Sequence, residues 1–185
     1  MACRRMSELI LFLLIVICKD GSIAHATSLE NNEYAVKAAF LFHFAQLTNW
    51  PPGVFQSSSD PLNICTTGTD PFNGALEKVL AKKTVKDHAV RIVHLKRMTG
   101  FEACQILFIG APESPHLAAL LANLQHLPIL TAGETDGFTR LGGMIGFRPE
   151  QGRLRFEINV TAAEKCNLSF GSQLLSLAKT IISAK

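Results

Sequence analysis

The chain has 185 residues, 48% of them apolar, and 18 Lys+Arg against 15 Asp+Glu give a formal charge of +3. That length suits one domain with a core of its own. The charge is small and dispersed, with no Lys/Arg-rich run and no interleaved aromatic platform, which argues against nucleic acid as a partner.

Residues 1–26 read as a secretory signal peptide. Arg4 and Arg5 form the positive start, Leu9–Cys18 is the apolar segment, and Ala24-His25-Ala26 places small residues at −3 and −1 of a cleavage site. Ten apolar residues make a helix of about 15 Å, half a bilayer core, so direct membrane insertion is not expected. Cys18 raises the question of lipid attachment, but Val16-Ile17 stand where small residues would be needed. Cleavage after Ala26 leaves residues 27–185 as a single exported domain with a charge of about +2, since Arg4, Arg5 and Lys19 leave with Glu8 and Asp20. Cys65, Cys104 and Cys166 remain, and in an oxidising compartment they permit one bridge and leave one thiol over.

Asn31–Trp50 reads as a long helix. Val36, Phe40, Phe44 and Leu47 follow helical spacing, and Ala39, Phe42 and Ala45 widen the stripe, so the helix is buried on more than one side. Lys37, His43 and Gln46 are its few polar positions; His43 reads as a satisfied core residue before it reads as a ligand. Trp50-Pro51-Pro52 ends the helix, because the residue before proline is pushed out of helical space.

Leu62–Thr66 is the first strand. Asp70 then caps a helix that starts at Pro71 and runs to about Ala81. A strand, a Gly/Thr loop and a helix N-terminus can cradle an anion, though the loop Thr67-Gly68-Thr69-Asp70 has neither a Walker ending nor a GxGxxG pattern. Val90–Leu95 and Gln105–Gly110 are further strands, the latter of near-continuous apolar character that suits a parallel sheet covered on both faces. Ser114–His126 is the next helix and Ile129–Thr131 the fourth strand, opening into the loop with Gly133, Glu134 and Asp136.

A hairpin follows. Met144–Arg148 is joined by Pro149-Glu150-Gln151-Gly152 to a strand in which Leu154, Phe156, Ile158 and Val160 alternate with Arg153, Arg155, Glu157 and Asn159. Its charged side is either the edge of a binding surface or a solvated face with a Glu157 ion pair. Thr161-Ala162-Ala163-Glu164 fits a capping box, and Ser172 is placed to cap a last helix with Leu174, Leu175, Ala178 and Ile181 facing inward. Alternating strands and helices predict an α/β protein: a layered α/β/α sandwich with a mostly parallel sheet and a C-terminal β-hairpin.

Thr67, Thr69, Glu113, Glu134 and Asp136 lie in loops at strand C-terminal ends, where open α/β sheets place ligands. Together with Asp70, Arg153, Arg155 and Glu157, Thr67, Thr69 and Glu134 are the candidates for ligand or partner contact. No GxSxG elbow, HExxH, Cys-x-x-Cys or Ser/His/Asp set is evident, so no catalytic residue, metal site or cofactor is assigned.

From Glu33 to Ile182 the sequence resembles the YfiR family of exported bacterial proteins. The resemblance is carried by Val36-Lys37-Ala38-Ala39-Phe40 leading to Trp50-Pro51, Leu62-Asn63-Ile64-Cys65 with Gly68, and Cys104-Gln105-Ile106-Leu107-Phe108-Ile109. Ile129-Leu130-Thr131, Gly143-Met144-Ile145-Gly146-Phe147, Arg155-Phe156-Glu157-Ile158-Asn159 and Leu174-Leu175-x-x-Ala178 continue it in order. It implies a periplasmic repressor, not an enzyme, that binds the periplasmic sensor domain of a membrane-bound diguanylate cyclase and so lowers cyclic di-GMP signalling and biofilm formation. It also implies a Cys65–Cys104 disulfide, serving either as a structural staple or as a redox sensor. As parallel neighbours the two cysteines would stand apart unless a bend brings their Cα atoms within about 7 Å. The second cysteine pair that redox-regulated members carry near the hairpin is missing here, and Cys166 is expected to be a buried free thiol. A small-ligand binding module without a cyclase partner is the alternative function. A homodimer stays open.

Overall fold

The uniformly apolar stretch Ile106–Ile109 leaves no face for water, and at the centre of the fold it lies between two other largely buried strands, Leu62–Thr67 and Leu130–Gly133. The computed structural model describes residues 21–97 and 99–183, and the chain falls into two compact units, residues 1–33 and residues 34–185. Most of the expected signal peptide, including its apolar segment, lies outside the described residues. All contacts below belong to the second unit.

In chain order, helix α1 spans Gly21–Leu47 and strand β1 Thr48–Asn49, followed by β2 (Leu62–Thr67) and α2 (Ala75–Leu80). Strands β3 (Thr84–Val85), β4 (His88–Leu95) and β5 (Ile106–Ile109) precede α3 (Leu117–Leu124) and β6 (Leu130–Gly133). The hairpin strands β7 (Ile145–Glu150) and β8 (Arg153–Asn159) lead to α4 (Val160–Lys165), β9 (Ser169–Phe170), α5 (Ser172–Leu177) and β10 (Thr180–Ile182). Eight strands form one sheet in the order β10-β8-β7-β6-β5-β2-β4-β3. Neighbours from β4 through β2, β5 and β6 to β7 are parallel, while β7–β8 and β3–β4 are antiparallel. The expected mixed α/β architecture with a mostly parallel sheet and a C-terminal hairpin is the one observed.

Alternation along the strands divides the core between the two faces of this sheet. Ile64, Ile106, Phe108, Leu130, Ile145, Phe147, Phe156 and Ile158 pack with Leu41, Phe44 and Ala45 of α1 and Leu76 of α2. Cys65, Leu107 and Ile109 point the other way, to Leu117, Leu120, Leu121 and Leu124 of α3 and to Phe138. The Phe44 ring lies 5.0 Å from Phe156 and 5.7 Å from Phe147, which ties α1 to the hairpin. Phe138 also explains two glycines: a Cβ on Gly133 or Gly143 would come within 2.2 or 2.1 Å of its ring.

Several local expectations need correction. Helix α1 stops at Leu47, not Trp50, because Thr48 turns its hydroxyl back onto the Phe44 carbonyl (2.7 Å) and pairs with Phe170 in a two-stranded ribbon. The buried stripe is rotated from the predicted one: Val36 is 40% exposed while Lys37 is 4% exposed. His43 is exposed and meets Gln46, so it is no core residue. Asp70 accepts the Phe72 N–H in a turn rather than capping a helix, and α2 begins only at Ala75. Much of the expected helix Ser114–His126 is shortened to α3, because Pro112 and Pro115 hold Ala111–His116 in a 3-10 segment.

In the hairpin, the strands extend further along the chain than expected and leave only Gln151-Gly152 as the connection. Both residues have positive φ (49° and 72°), as a tight primed turn requires. Asn159, not Thr161, caps α4 by accepting the Ala162 N–H. The last helix is capped at Gly171 with no side-chain bond, so Ser172 is its first residue and not its cap. It ends before Ala178, and Ile181 stands 47% exposed in β10, paired in parallel with β8, instead of facing inward from a helix.

Candidate functional site

The disulfide is built by a local bend. Gly100, with φ of 82°, turns the chain into the 3-10 segment Phe101–Ala103, which ends on Cys104 in extended backbone. Gln105 then donates its N–H to the Asn63 carbonyl (3.0 Å), and its side chain accepts the Asn63 N–H (2.8 Å), fixing β5 against β2. This brings the Cα atoms of Cys65 and Cys104 to 5.9 Å, well inside bonding range, and the two sulfurs are joined. The bend is what lets cysteines from parallel neighbours meet. Both residues are almost wholly buried, at 0% and 2% exposure, against Leu107 and α3. Among the described residues Cys166 is the free cysteine; it is buried, and its burial pushes the thiol above its ordinary pKa.

A second constellation joins residues 97 positions apart. The Glu134 carboxylate, just past β6, accepts Lys37 Nζ at 2.6 Å and the Tyr34 hydroxyl at 3.1 and 3.2 Å. It also accepts the Ala111 N–H at 3.0 Å, from the loop after β5. Lys37 and Glu134 side chains are 5% and 10% exposed. Such a pair is held by its extra hydrogen bonds as much as by Coulomb attraction, since each charge has left water. It clamps α1 to the C-terminal ends of the central strands.

The other candidates at that end are more dispersed. Thr67 ends β2 with its hydroxyl buried and without a hydrogen-bond partner, whereas Thr69 is exposed. Gly68 has φ of 67°, and the Glu113 carboxylate packs so closely over it that a Cβ would lie 2.2 Å from Oε1. Asp136 is exposed. Thus Thr67, Gly68, Glu113 and Glu134 share the strand C-termini, but Glu134 is occupied by partners within the fold.

On the hairpin, register places Glu150 opposite Arg153, Arg148 opposite Arg155 and Gly146 opposite Glu157 on one face. Glu157 accepts Arg148 Nη1 and the Thr139 hydroxyl, both at 3.1 Å. Arg153 and Arg155 stay exposed. The Lys179 ammonium hydrogen-bonds Glu150 and holds its carboxyl below the usual carboxylate range. A Glu157 ion pair on a half-solvated face is therefore present.

One arrangement escaped sequence reading altogether. His94 Nε2 reaches Glu77 Oε1 at 2.8 Å, and His94 Nδ1 meets the Thr66 hydroxyl at 2.8 Å. Chemically it is an acid–base chain, but Thr66 is 1% exposed and out of reach of any substrate. It fastens α2 to β4 and β2. Burial pushes the Glu77 carboxyl up, but the His94 hydrogen bond and charge outweigh it, so it titrates below its ordinary value. Among the described residues there is no group of three or more His, Cys, Asp or Glu placed to hold a metal ion. No helix among them is long and apolar enough to cross a membrane.

The YfiR/HmsC-like family profile matches residues 34–179, nearly the whole second unit. No curated protein matches the chain. Among solved structures, a conserved domain protein from Vibrio cholerae O1 biovar El Tor is similar at 10% identity, with a TM-score of 0.45. The match covers 64% of this chain and 54% of that one, so the chain spans about half the length of that relative.

Proposed function

Because the chain belongs to the YfiR/HmsC-like family, we propose that it is a periplasmic regulator that represses a membrane-bound diguanylate cyclase by binding the cyclase's periplasmic sensor domain. Repression lowers cyclic di-GMP signalling and with it biofilm formation. The observation that carries this reading is the family match across residues 34–179, which takes in both cysteines of the bridge. A repressor of this kind acts by contact and needs a surface and a switch; it is not an enzyme. Residues 1–26 are its export signal and residues 27–185 the exported domain. Arg153 and Arg155 on the exposed hairpin face are the side chains offered for partner contact.

The test is co-purification of the exported protein with the periplasmic domain of a membrane-bound diguanylate cyclase from the same genome, with and without reductant. A complex in the oxidised state is expected. No complex in either state refutes the repressor reading; equal complex in both states leaves repression standing and makes the Cys65–Cys104 bridge a structural staple.

A further inference from the structure

A groove of about 500 Å³ lies at the end of the sheet opposite to the loops that carry Glu134 and Thr67. It is formed where the chain enters β5 and β6, under the segment that follows Trp50. That volume is within the usual range for small-molecule sites, about 300–1,000 Å³. Pro51, Val54, Pro128 and Ile129 supply apolar walls, Gln56 and Gln105 add amide groups, and the almost wholly buried Cys104 of the disulfide borders the groove. Among the described residues that line it, Glu102 is the one ionisable side chain. Its carboxylate makes no ion pair or hydrogen bond with another described residue. Among the described residues no Lys, Arg or His lines the groove.

We propose that this groove binds a small organic cation, a protonated amine on an apolar or aromatic body, with the ammonium on Glu102 and the body against the proline and aliphatic walls. The charge argument selects the class. An anion would meet a carboxylate with no cation to offset it, and a neutral apolar molecule would gain nothing from that carboxylate. A cationic head gives a charge-assisted hydrogen bond there, while the body removes the apolar walls from water. Such a ligand would sit beside the Cys65–Cys104 bridge without touching the Lys37–Glu134 clamp. The inference stands independently of cyclase repression, because the groove's walls and charge are properties of the chain alone.

The sequence supplies its own reporter. Trp50 is the single tryptophan, it adjoins Pro51 of the groove, and its ring packs edge-on to Phe55 at 6.2 Å. Its buried Nε1 has no hydrogen-bond partner, so its emission is sensitive to a change of neighbours. The experiment titrates phenethylammonium into the exported protein, followed by calorimetry and by Trp50 emission, with phenylacetate as the anion of matching shape. Saturable binding of the amine with a change in Trp50 emission is expected, and none of the acid. Glu102→Gln should weaken the amine about tenfold, and Glu102→Lys should abolish amine binding; Glu102 is exposed, so neither change should alter folding. The proposal is overturned by an absence of amine binding, by equal binding of phenylacetate, by heat without a Trp50 response, or by an unchanged affinity in Glu102→Gln.

Discussion

Removing the Cys65–Cys104 bridge should cost this protein a large part of its stability. The bridge joins residues 39 apart, and closing a loop of that size removes unfolded-state entropy worth about 4 kcal/mol on the chain-entropy account. Domains of this size have only about 5–15 kcal/mol in total. The loss corresponds to a fall in melting temperature on the order of 10 °C. The double variant Cys65→Ala/Cys104→Ala is the right perturbation, because a serine would bury an unpartnered hydroxyl among Leu107, Leu117 and Leu121 and add a penalty of its own. Urea denaturation of the oxidised protein, the reduced protein and the variant measures the effect. Reduced protein and variant should agree, and both should show a steeper denaturant dependence, because the unfolded chain is less constrained. The burial of both cysteines also makes reduction slow in the native state, since a thiolate must reach sulfur through closed packing. A stability difference below about 1 kcal/mol between oxidised and reduced protein would refute the loop-closure reasoning.

Lys37→Met should destabilise by about 3 kcal/mol, because it leaves the Glu134 carboxylate buried with only its Tyr34 and Ala111 partners. Adding Glu134→Gln should restore part of that loss in a double-mutant cycle, and simple additivity would contradict the clamp. Gly143→Ala drives a methyl into the Phe138 ring and should cost about 1–3 kcal/mol, with partial rescue by Phe138→Leu. The Glu77 carboxyl titrates below its ordinary 4.5 when folded, so its contribution is complete above pH 4.5 and is lost as pH falls through the lower folded value. The stability gap between the parent protein and Glu77→Gln should therefore close on acidification, and a gap that widens would reverse the assignment. In protein beginning at Thr27, unreduced and denatured, thiol titration should find one reactive cysteine, Cys166, and native protein should react far more slowly.

Features dictated by local pattern were legible in the amino-acid sequence. The uniform apolar run Ile106–Ile109 reads as a strand covered on both faces because no polar position breaks it. Phe156 and Ile158 alternate with Arg155 and Glu157, and a period of two leaves little freedom about which side faces the core. The family resemblance rests on the same stretches, and it named the cysteine pair. Helix ends were less legible: a threonine bonding back to Phe44, two prolines at 112 and 115, and an asparagine at 159 decide them through individual hydrogen bonds and ring constraints.

What only the tertiary structure decided depends on residues far apart in the chain. Lys37 sits in a stretch where a polar residue is normally a solvated one, and nothing nearby announces Glu134, 97 residues on, as its partner. Val36 and Lys37 differ by one helical step, so a rotation of about 100° exchanges which is buried, and the clamp sets that rotation. Strand order is likewise a global outcome, with β10 returning beside β8 instead of continuing a helix. The groove at the strand N-termini draws on Pro51–Val54, Glu102–Cys104 and Leu127–Ile129, three segments that meet only once β5 and β6 lie side by side. Periodicity tells each segment which face to bury; the partner that covers it is chosen by the closure of the whole sheet.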